Sequence, residues 1–356
     1  MTARSAIAWF QRADELEALG DHAAAEAGFA RSAAGFTRAE GLLSPDAANA
    51  LNRLAALRDA RGAHASALEA AERAAAIMRA VGEQLTDDDA TGIRLVTARL
   101  RGHLYERLAR YADAEAVLRE ALALAEATLG PAHPETALTR NTLGIVYKYT
   151  GQFAAAEQLY RRALADLQDA FGERHPAVAT LYHNLGGLEH ARGRHDVGEP
   201  LARRAWELRR EQLPAEHPAV IADLVNWAGL LDGLERYAES EPVYRAALAA
   251  YEARWGSEHV EVAFVLGNLA AACAGQGRYA EAEPLARRAL ATYSLHFSPT
   301  HPAIGLVDNN LGVILRALDH PAEARACFAR ALEIATAVYG PGHAQAELAR
   351  ANLESC

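Results

Sequence analysis

One column of residues limits the possible folds more than any other feature of the chain. His133-Pro134, His175-Pro176, His217-Pro218, His259, His301-Pro302 and His343 stand 42 residues apart without a slip. A period that strict marks a repeat architecture, in which each period is one supersecondary motif. Every repeat carries two amphipathic segments. In the repeat that begins at His175, Val178, Leu181, Leu185 and Leu188 recur at helical spacing, and Leu201, Ala205 and Leu208 form a second stripe. Proline suits the first turn of the leading segment, where a backbone donor has no intrahelical partner. Neither helix can bury its stripe alone, so stacking must supply one continuous core. The expected fold is all-α: an α-solenoid of about eight helix-turn-helix repeats plus a C-terminal capping helix, "HAQAELARANLESC".

The turns between paired helices fall at Gly20, Gly62, Ala109, Gly151, Gly193, Glu235, Gly277 and Asp319. Six of the seven spacings are 42 residues, and the one from Gly62 to Ala109 is 47. The extra residues lie in or beside the acidic stretch "GEQLTDDDATG", expected to be an exposed loop that bends the array. The corresponding division is 1–90 for the first two repeats and the loop, 91–342 for six regular repeats, and 343–356 for the cap, all in one solenoid. Gly130, Gly172, Gly256 and Gly340 mark the ends of trailing helices, where a left-handed residue is expected. An aromatic or leucine precedes each such stop (Leu129, Phe171, Leu213, Trp255, Phe297 and Tyr339) and is expected to plug the junction with the next repeat. Small residues fill two columns where helices must approach closely: Gly144, Gly186, Ala228, Ala270 and Gly312 in leading helices, and Ala114, Ala156, Gly198, Ser240, Ala282 and Ala324 in trailing ones.

Composition narrows the function. A net charge of −10 argues against nucleic acid or anionic lipid as a partner. The start, "MTARSAIAWFQRADELEALG", lacks the basic-then-apolar order of a secretory leader, and no apolar run has membrane-spanning length. The expected location is cytoplasmic. Cys273, Cys327 and Cys356 form no ligand or disulfide pattern, and the first two read as small core residues.

The segments "HPAVATLYHNLGGLEHARGRHDVGEPLARRAW" and "GRYAEAEPLARRALATY" resemble tetratricopeptide repeats, specifically the 42-residue kind of kinesin light chains. The resemblance implies a right-handed superhelix whose leading helices line a concave groove. It also implies that asparagines at the matching position, here Asn184, Asn226, Asn268, Asn310 and Asn352, contact a bound peptide. A carboxamide offers a donor and an acceptor together, so it can pair with a peptide backbone of any sequence. The alternative is that each asparagine bonds to the neighbouring repeat. Toward the N-terminus the column changes to Arg53, Leu100 and Thr142, with Arg99, His103, Asn141, Lys148 and His183 at adjacent positions, and Asp59 and Glu106 partly offsetting them. Farther along, Val225, Gly229, Ala271 and Val313 make an apolar floor. The groove set is therefore Asn184, Asn226, Asn268, Asn310, Asn352, Asn141, Arg53, Arg99, Lys148, His183, His190 and Arg316. The inferred partner is a protein or peptide with an acidic portion toward the N-terminal half.

The histidine column does not suggest a metal, because successive repeats stand about 10 Å apart per packed layer, whereas zinc ligands lie about 2 Å from the ion. Its members are expected to cap or pack the start of each leading helix. Glu115–Arg119, Glu157–Arg161, Glu199–Arg203, Glu241–Arg245 and Glu283–Arg287 have the favourable i,i+4 order. Neither a phosphate loop, a nucleophile elbow nor a clustered-cysteine site is present, and no cofactor is expected. Lysine occurs once, at Lys148, so the clamp for a free C-terminal carboxylate is not reproduced, nor is a heptad segment found. The leading function is a non-catalytic peptide-binding scaffold. Alternatives are a peptide-sensing regulator, an enzyme or substrate-presenting subunit using His183, His190 and Asp232, and self-assembly through Trp9 and Phe10.

Overall fold

The computed structural model describes residues 2–82 and 88–356. Among them lie seventeen α-helices. The first six are α1 (Ala3–Ala18), α2 (His22–Glu40), α3 (Pro45–Ala60), α4 (His64–Val81), α5 (Asp88–Arg107) and α6 (Tyr111–Thr128). They are followed by α7 (Pro134–Tyr149), α8 (Phe153–Phe171), α9 (Pro176–Ala191), α10 (His195–Arg210), α11 (Pro218–Gly233) and α12 (Tyr237–Trp255). The last are α13 (Val260–Gly275), α14 (Tyr279–His296), α15 (Pro302–Ala317), α16 (Pro321–Tyr339) and the lone α17 (Ala344–Glu354). Of the expected acidic loop, residues 82–92, residues 83–87 lie outside the described residues, and 88–92 are not loop but the first turns of α5.

The eight expected turn positions are those where the backbone crosses to positive φ, from 57° at Ala109 to 80° at Gly20. Beyond each, a Schellman-type bond closes the helix end, as Arg194 N to Glu189 O (2.9 Å) and Arg278 N to Cys273 O (2.9 Å). Ala109, Glu235 and Asp319 hold this conformation despite carrying a Cβ. The trailing helices end differently from the expectation. Gly172, Gly256 and Gly340 combine φ of 83–88° with ψ of 161–169°, a region open essentially to glycine alone rather than the left-handed helical one.

The histidine column caps the leading helices. Nδ1 of His175, His217, His259 and His301 accepts the backbone N–H two residues on, at 3.2 Å in each case. The aromatic four residues earlier holds the ring in place: Phe171 on His175 at 4.3 Å, Trp255 on His259 at 4.5 Å, Phe297 on His301 at 3.8 Å. Losing a cap costs about 1 kcal/mol and losing a stacked pair a further ~0.5–1.5 kcal/mol. His301→Ala is therefore expected to lower the unfolding free energy by about 2 kcal/mol in a urea titration. His301→Asn, which can still cap, should recover about half of that.

The chain packs into two compact units, one ending at Val146 and the other spanning Tyr147–Cys356. The soft boundary expected near residue 90 does not coincide with this division. In the N-terminal unit each helix from α1 to α6 packs on the next, and α3 also touches α5. In the C-terminal unit successive helices from α8 to α17 do the same. Here the leading helices α9, α11, α13, α15 and α17 also touch one another in order, while among the described residues the trailing helices α10, α12, α14 and α16 make no comparable contact with one another. The more closely spaced row lies on the inside of a bend, so the leading helices of this unit face its concave side. At its two ends, the imidazole of His343 comes within 3.6 Å of where Gly151 would carry a Cβ.

Small residues make this spacing possible. Ala114, Ala156, Ala228, Ala270, Ser240, Ala282 and Ala324 are all fully buried. A Cβ on Gly186 would stand 3.1 Å from the backbone nitrogen of Ala202, so α9 and α10 cross almost backbone to backbone. Of the five expected Glu–Arg pairs, four form. The exception is Glu199, which accepts from Trp227 Nε1 at 2.9 Å while Arg203 turns to Glu207.

Candidate functional site

On the concave side of the C-terminal unit the five asparagines separate into two kinds. Asn226 Nδ2 donates to the backbone oxygen of His183 (3.0 Å), and Asn352 Nδ2 donates to Asn309 Oδ1 (2.9 Å), each reaching back one repeat. Asn184 is buried between its neighbours. Asn268 and Asn310 are half-buried, and neither carboxamide has a hydrogen-bond partner among the described residues. The column therefore ties repeats together at Asn226 and Asn352 and leaves two amides without a partner among the described residues.

One helical turn before these asparagines lies a column absent from the expected set. Phe264, Leu306 and Leu348 are 46%, 46% and 53% exposed. Phe264 and Leu306 keep this exposure although leading helices flank α13 and α15 on both sides, so they face the hollow and not an end of the stack. The 42-residue period carries this signal too, as Thr180, Ala222, Phe264, Leu306 and Leu348. Around them α13 presents Ala271 and Ala274, with Glu261 half-buried one turn before Phe264. Arg316, expected in the groove, donates to Ser355 Oγ at 2.6 Å and lies over the Phe328 ring.

The other end of the same unit is polar. His190 is exposed, yet crowding by protein, with His195 and Lys148 nearby, pushes its pKa down to about 4. The ring belongs to the last turn of α9. Its centroid is 5.0 Å from that of His195. The space above Gly187 is shared by Asn226 Oδ1 (3.5 Å from a Cβ built there) and Lys148 Nζ (3.7 Å). His183 Nδ1 is 2.8 Å from buried Asp223, whose other oxygen takes Arg209. Asp232 accepts from Ser240 and Tyr244, and burial raises its pKa. His183, His190 and Asp232 thus have three separate sets of partners, and among the described residues no hydrogen bond or ion pair joins them into a catalytic group.

In the N-terminal unit the expected cations are engaged within the chain. Arg53 pairs with Asp14 (2.7 Å) and Glu17 (2.8 Å), and Arg99 with Glu135. An acidic ligand at either would have to displace a carboxylate already in place. Asn141 is half-buried on α7. Asp59 lies between His64 (2.8 Å) and His103 (3.0 Å). Burial opposes charge on His103, but the hydrogen bond to Asp59 and the Asp59 and Glu106 charges override it and raise its pKa.

Among the described residues one trio, Glu241, Cys273 and Glu281, brings metal-type ligand atoms within 4.8 Å of one another. Its chemistry does not suit an ion. Arg278 and Arg245 already occupy the carboxylates, holding Glu241 down to about 2, and burial pushes the Cys273 thiol up, away from the thiolate a metal needs. No described helix is long and apolar enough to cross a membrane.

Comparison with known proteins agrees with this architecture. None of the curated proteins compared matches the chain. Among solved structures, the Rap protein complexed with competence and sporulation factor is 14% identical, covering 99% of this chain and 97% of its own with a TM-score of 0.61. NprR in complex with its cognate peptide NprX is 14% identical, covering 84% of this chain and 81% of its own, with a TM-score of 0.57. BtubC (BKLC) from P. vanneervenii is 25% identical over 66% of this chain and 92% of its own, with a TM-score of 0.47. A family model described as tetratricopeptide repeat matches residues 94–169, 150–211, 177–253, 220–294 and 304–356. Those matches span well over half of the sequence, and with the paired helices and positive-φ turns they make the chain a member of the tetratricopeptide repeat family.

Proposed function

We propose that the protein is a non-catalytic scaffold that holds a peptide or protein segment against the leading helices of its C-terminal unit. One observation carries this reading: Asn268 and Asn310, on leading helices, are half-buried and have no hydrogen-bond partner among the described residues. An asparagine is a mediocre helix former, and one that ties nothing together costs helix stability without a structural return. The carboxamides of Asn226 and Asn352 support the division of labour, since theirs are committed to the preceding repeat. NprR, which shares the fold, is seen with a peptide, so the architecture can hold one. Lys148, with the uncharged His190 ring beside it as a hydrogen-bond partner, would meet an acidic end of the ligand.

Paired variants test the proposal. Asn268→Ala/Asn310→Ala is expected to keep the wild-type melting temperature within about 2 °C, and to lose partners recovered by affinity capture with the wild type. Asn226→Ala/Asn352→Ala breaks two hydrogen bonds worth about 1 kcal/mol each and should melt earlier. Full capture by the first variant would defeat the groove as the binding surface.

A further inference from the structure

One column breaks its pattern at the join where the repeat spacing lengthens from 42 to 47 residues. His103 stands in a column filled elsewhere by Ala56, Ile145, Gly187, Gly229, Ala271 and Val313, all small or apolar. Packing alone does not call for an imidazole there. Its Nε2 meets Asp59, at the end of α3, at 3.0 Å. The other oxygen of Asp59 takes Nδ1 of His64, the first residue of α4, at 2.8 Å. The column of His64 does not require such a bond, since His195 in the same column has its Nδ1 buried with no partner among the described residues.

Geometry assigns the protons. A guanidinium can only donate, and that of Arg107 stands 3.4 Å from His64 Nε2, so this nitrogen accepts and the ring keeps its single hydrogen on Nδ1, toward Asp59. His64 is thus the fixed, uncharged partner. His103 faces carboxylates with both nitrogens: Nε2 faces Asp59, and Nδ1 faces Glu106 at 3.8 Å. Only an imidazolium offers a hydrogen to each. Nearby charges on other elements are engaged elsewhere. Glu72 of α4 takes Arg101, Glu135 of α7 takes Arg99, and Asp113 of α6 takes Arg110.

The same two leading helices share a second bond of a different kind. Asn52 Nδ2 of α3 donates to Thr97 Oγ1 of α5 at 2.8 Å in a buried setting, and neither group titrates. Asn52 precedes Asp59 by seven residues, about 10 Å along the helix. We propose that Asp59 and His103 form a pH-sensitive latch between the second and third repeats, closed while both nitrogens of His103 carry hydrogen and loosened when one is lost. With Nδ1 bare, its lone pair confronts Glu106, and Asp59 keeps its buried charge with only neutral partners. The C-terminal ends of α3 and α5 then splay about the Asn52–Thr97 bond. Burial disfavours the charge on His103, but the Asp59 bond and the Asp59 and Glu106 charges raise its pKa above the ordinary 6.5. The latch therefore contributes fully below that ordinary value and weakens as pH rises through the raised one.

The test follows the full chain by NMR from pH 5 to 9.5, with the His103 ring signal identified by its loss in His103→Gln. That signal is expected to titrate above 6.5 in the wild type and lower in Asp59→Asn. Amide hydrogen exchange gives the mechanical readout. After correction for the intrinsic pH dependence of exchange, amides of residues 56–61 and 103–109 should lose protection at least about threefold between pH 6 and pH 9, relative to those of α15. In His103→Gln, whose carboxamide can donate to Asp59 at every pH, this loss should disappear. A wild-type His103 that titrates at or below 6.5 would overturn the latch, as would constant protection in the wild type or an equal loss in His103→Gln. Should the glutamine variant fail to fold, the wild-type titration, assigned with His103→Asn, and the wild-type exchange profile decide.

Discussion

Replacing Asp223 with alanine is expected to lower the unfolding free energy by about 3 kcal/mol, at the lower end for breaking a buried ion pair. Asp223 is 1% exposed and both its oxygens are used, Oδ1 by His183 at 2.8 Å and Oδ2 by Arg209 at 2.5 Å. Removing the carboxylate leaves the Arg209 guanidinium, only 12% exposed, with Thr180 Oγ1 as its remaining partner at 3.1 Å. The cost arises from that stranded charge more than from the lost bonds. Asp223→Leu combined with Arg209→Met should therefore recover most of the stability, because apolar groups of similar volume need no partner. Urea titration of the single and double variants decides it. A double variant as unstable as Asp223→Ala would show that packing, not charge, is at stake.

Gly198→Leu is expected to lower the unfolding free energy by about 2 kcal/mol, the upper end of overpacking less the helix propensity regained. A Cβ at this position would stand 2.6 Å from Leu230 Cδ2, 3.0 Å from Glu189 Cβ and 3.1 Å from the backbone oxygen of Gly186. The first contact can yield by a rotamer change, but the third is main chain and cannot move without separating α9 from α10. Overpacking of this kind costs ~1–3 kcal/mol, which outweighs the ~1 kcal/mol gained by removing glycine from a helix. Gly187→Ala is the control. Its Cβ would meet Asn226 Oδ1 at 3.5 Å and Lys148 Nζ at 3.7 Å, ordinary contact distances, so propensity should win and thermal stability should rise slightly. Opposite signs for two glycines on one pair of helices would separate steric from entropic effects.

Features that depend on a residue and its own repeat were legible before any coordinates. The histidine caps are an example, since donor, acceptor and stacking ring lie within six residues of one another. The turn positions are another, down to Glu235 and Asp319, which keep positive φ without being glycine. The small columns follow because stacking imposes the same distance at every repeat. What escaped the sequence depends on choices between competing partners. Nothing in the column of asparagines distinguishes Asn226, bonded to His183, from Asn268, which is not. Arg53 and Arg99 looked like groove cations because their carboxylate partners lie 36 to 39 positions away (Arg53 with Glu17 and Asp14, Arg99 with Glu135). The Glu199–Arg203 pair failed because an indole nitrogen from the next repeat competed for the carboxylate. The apolar column was visible at the same period as the asparagines, but an exposed leucine looks like a buried one until its neighbours are placed.

The contact between His343 and the turn at Gly151 has a mechanical meaning. Each hairpin adds a fixed rotation, and in this unit the rotations accumulate until the cap of the last helix meets the first bend. The coil therefore has a hard stop. The gap at that point can widen but cannot narrow, so a guest that strains this spring there can only loosen it, and the separation of these two residues would serve as its gauge.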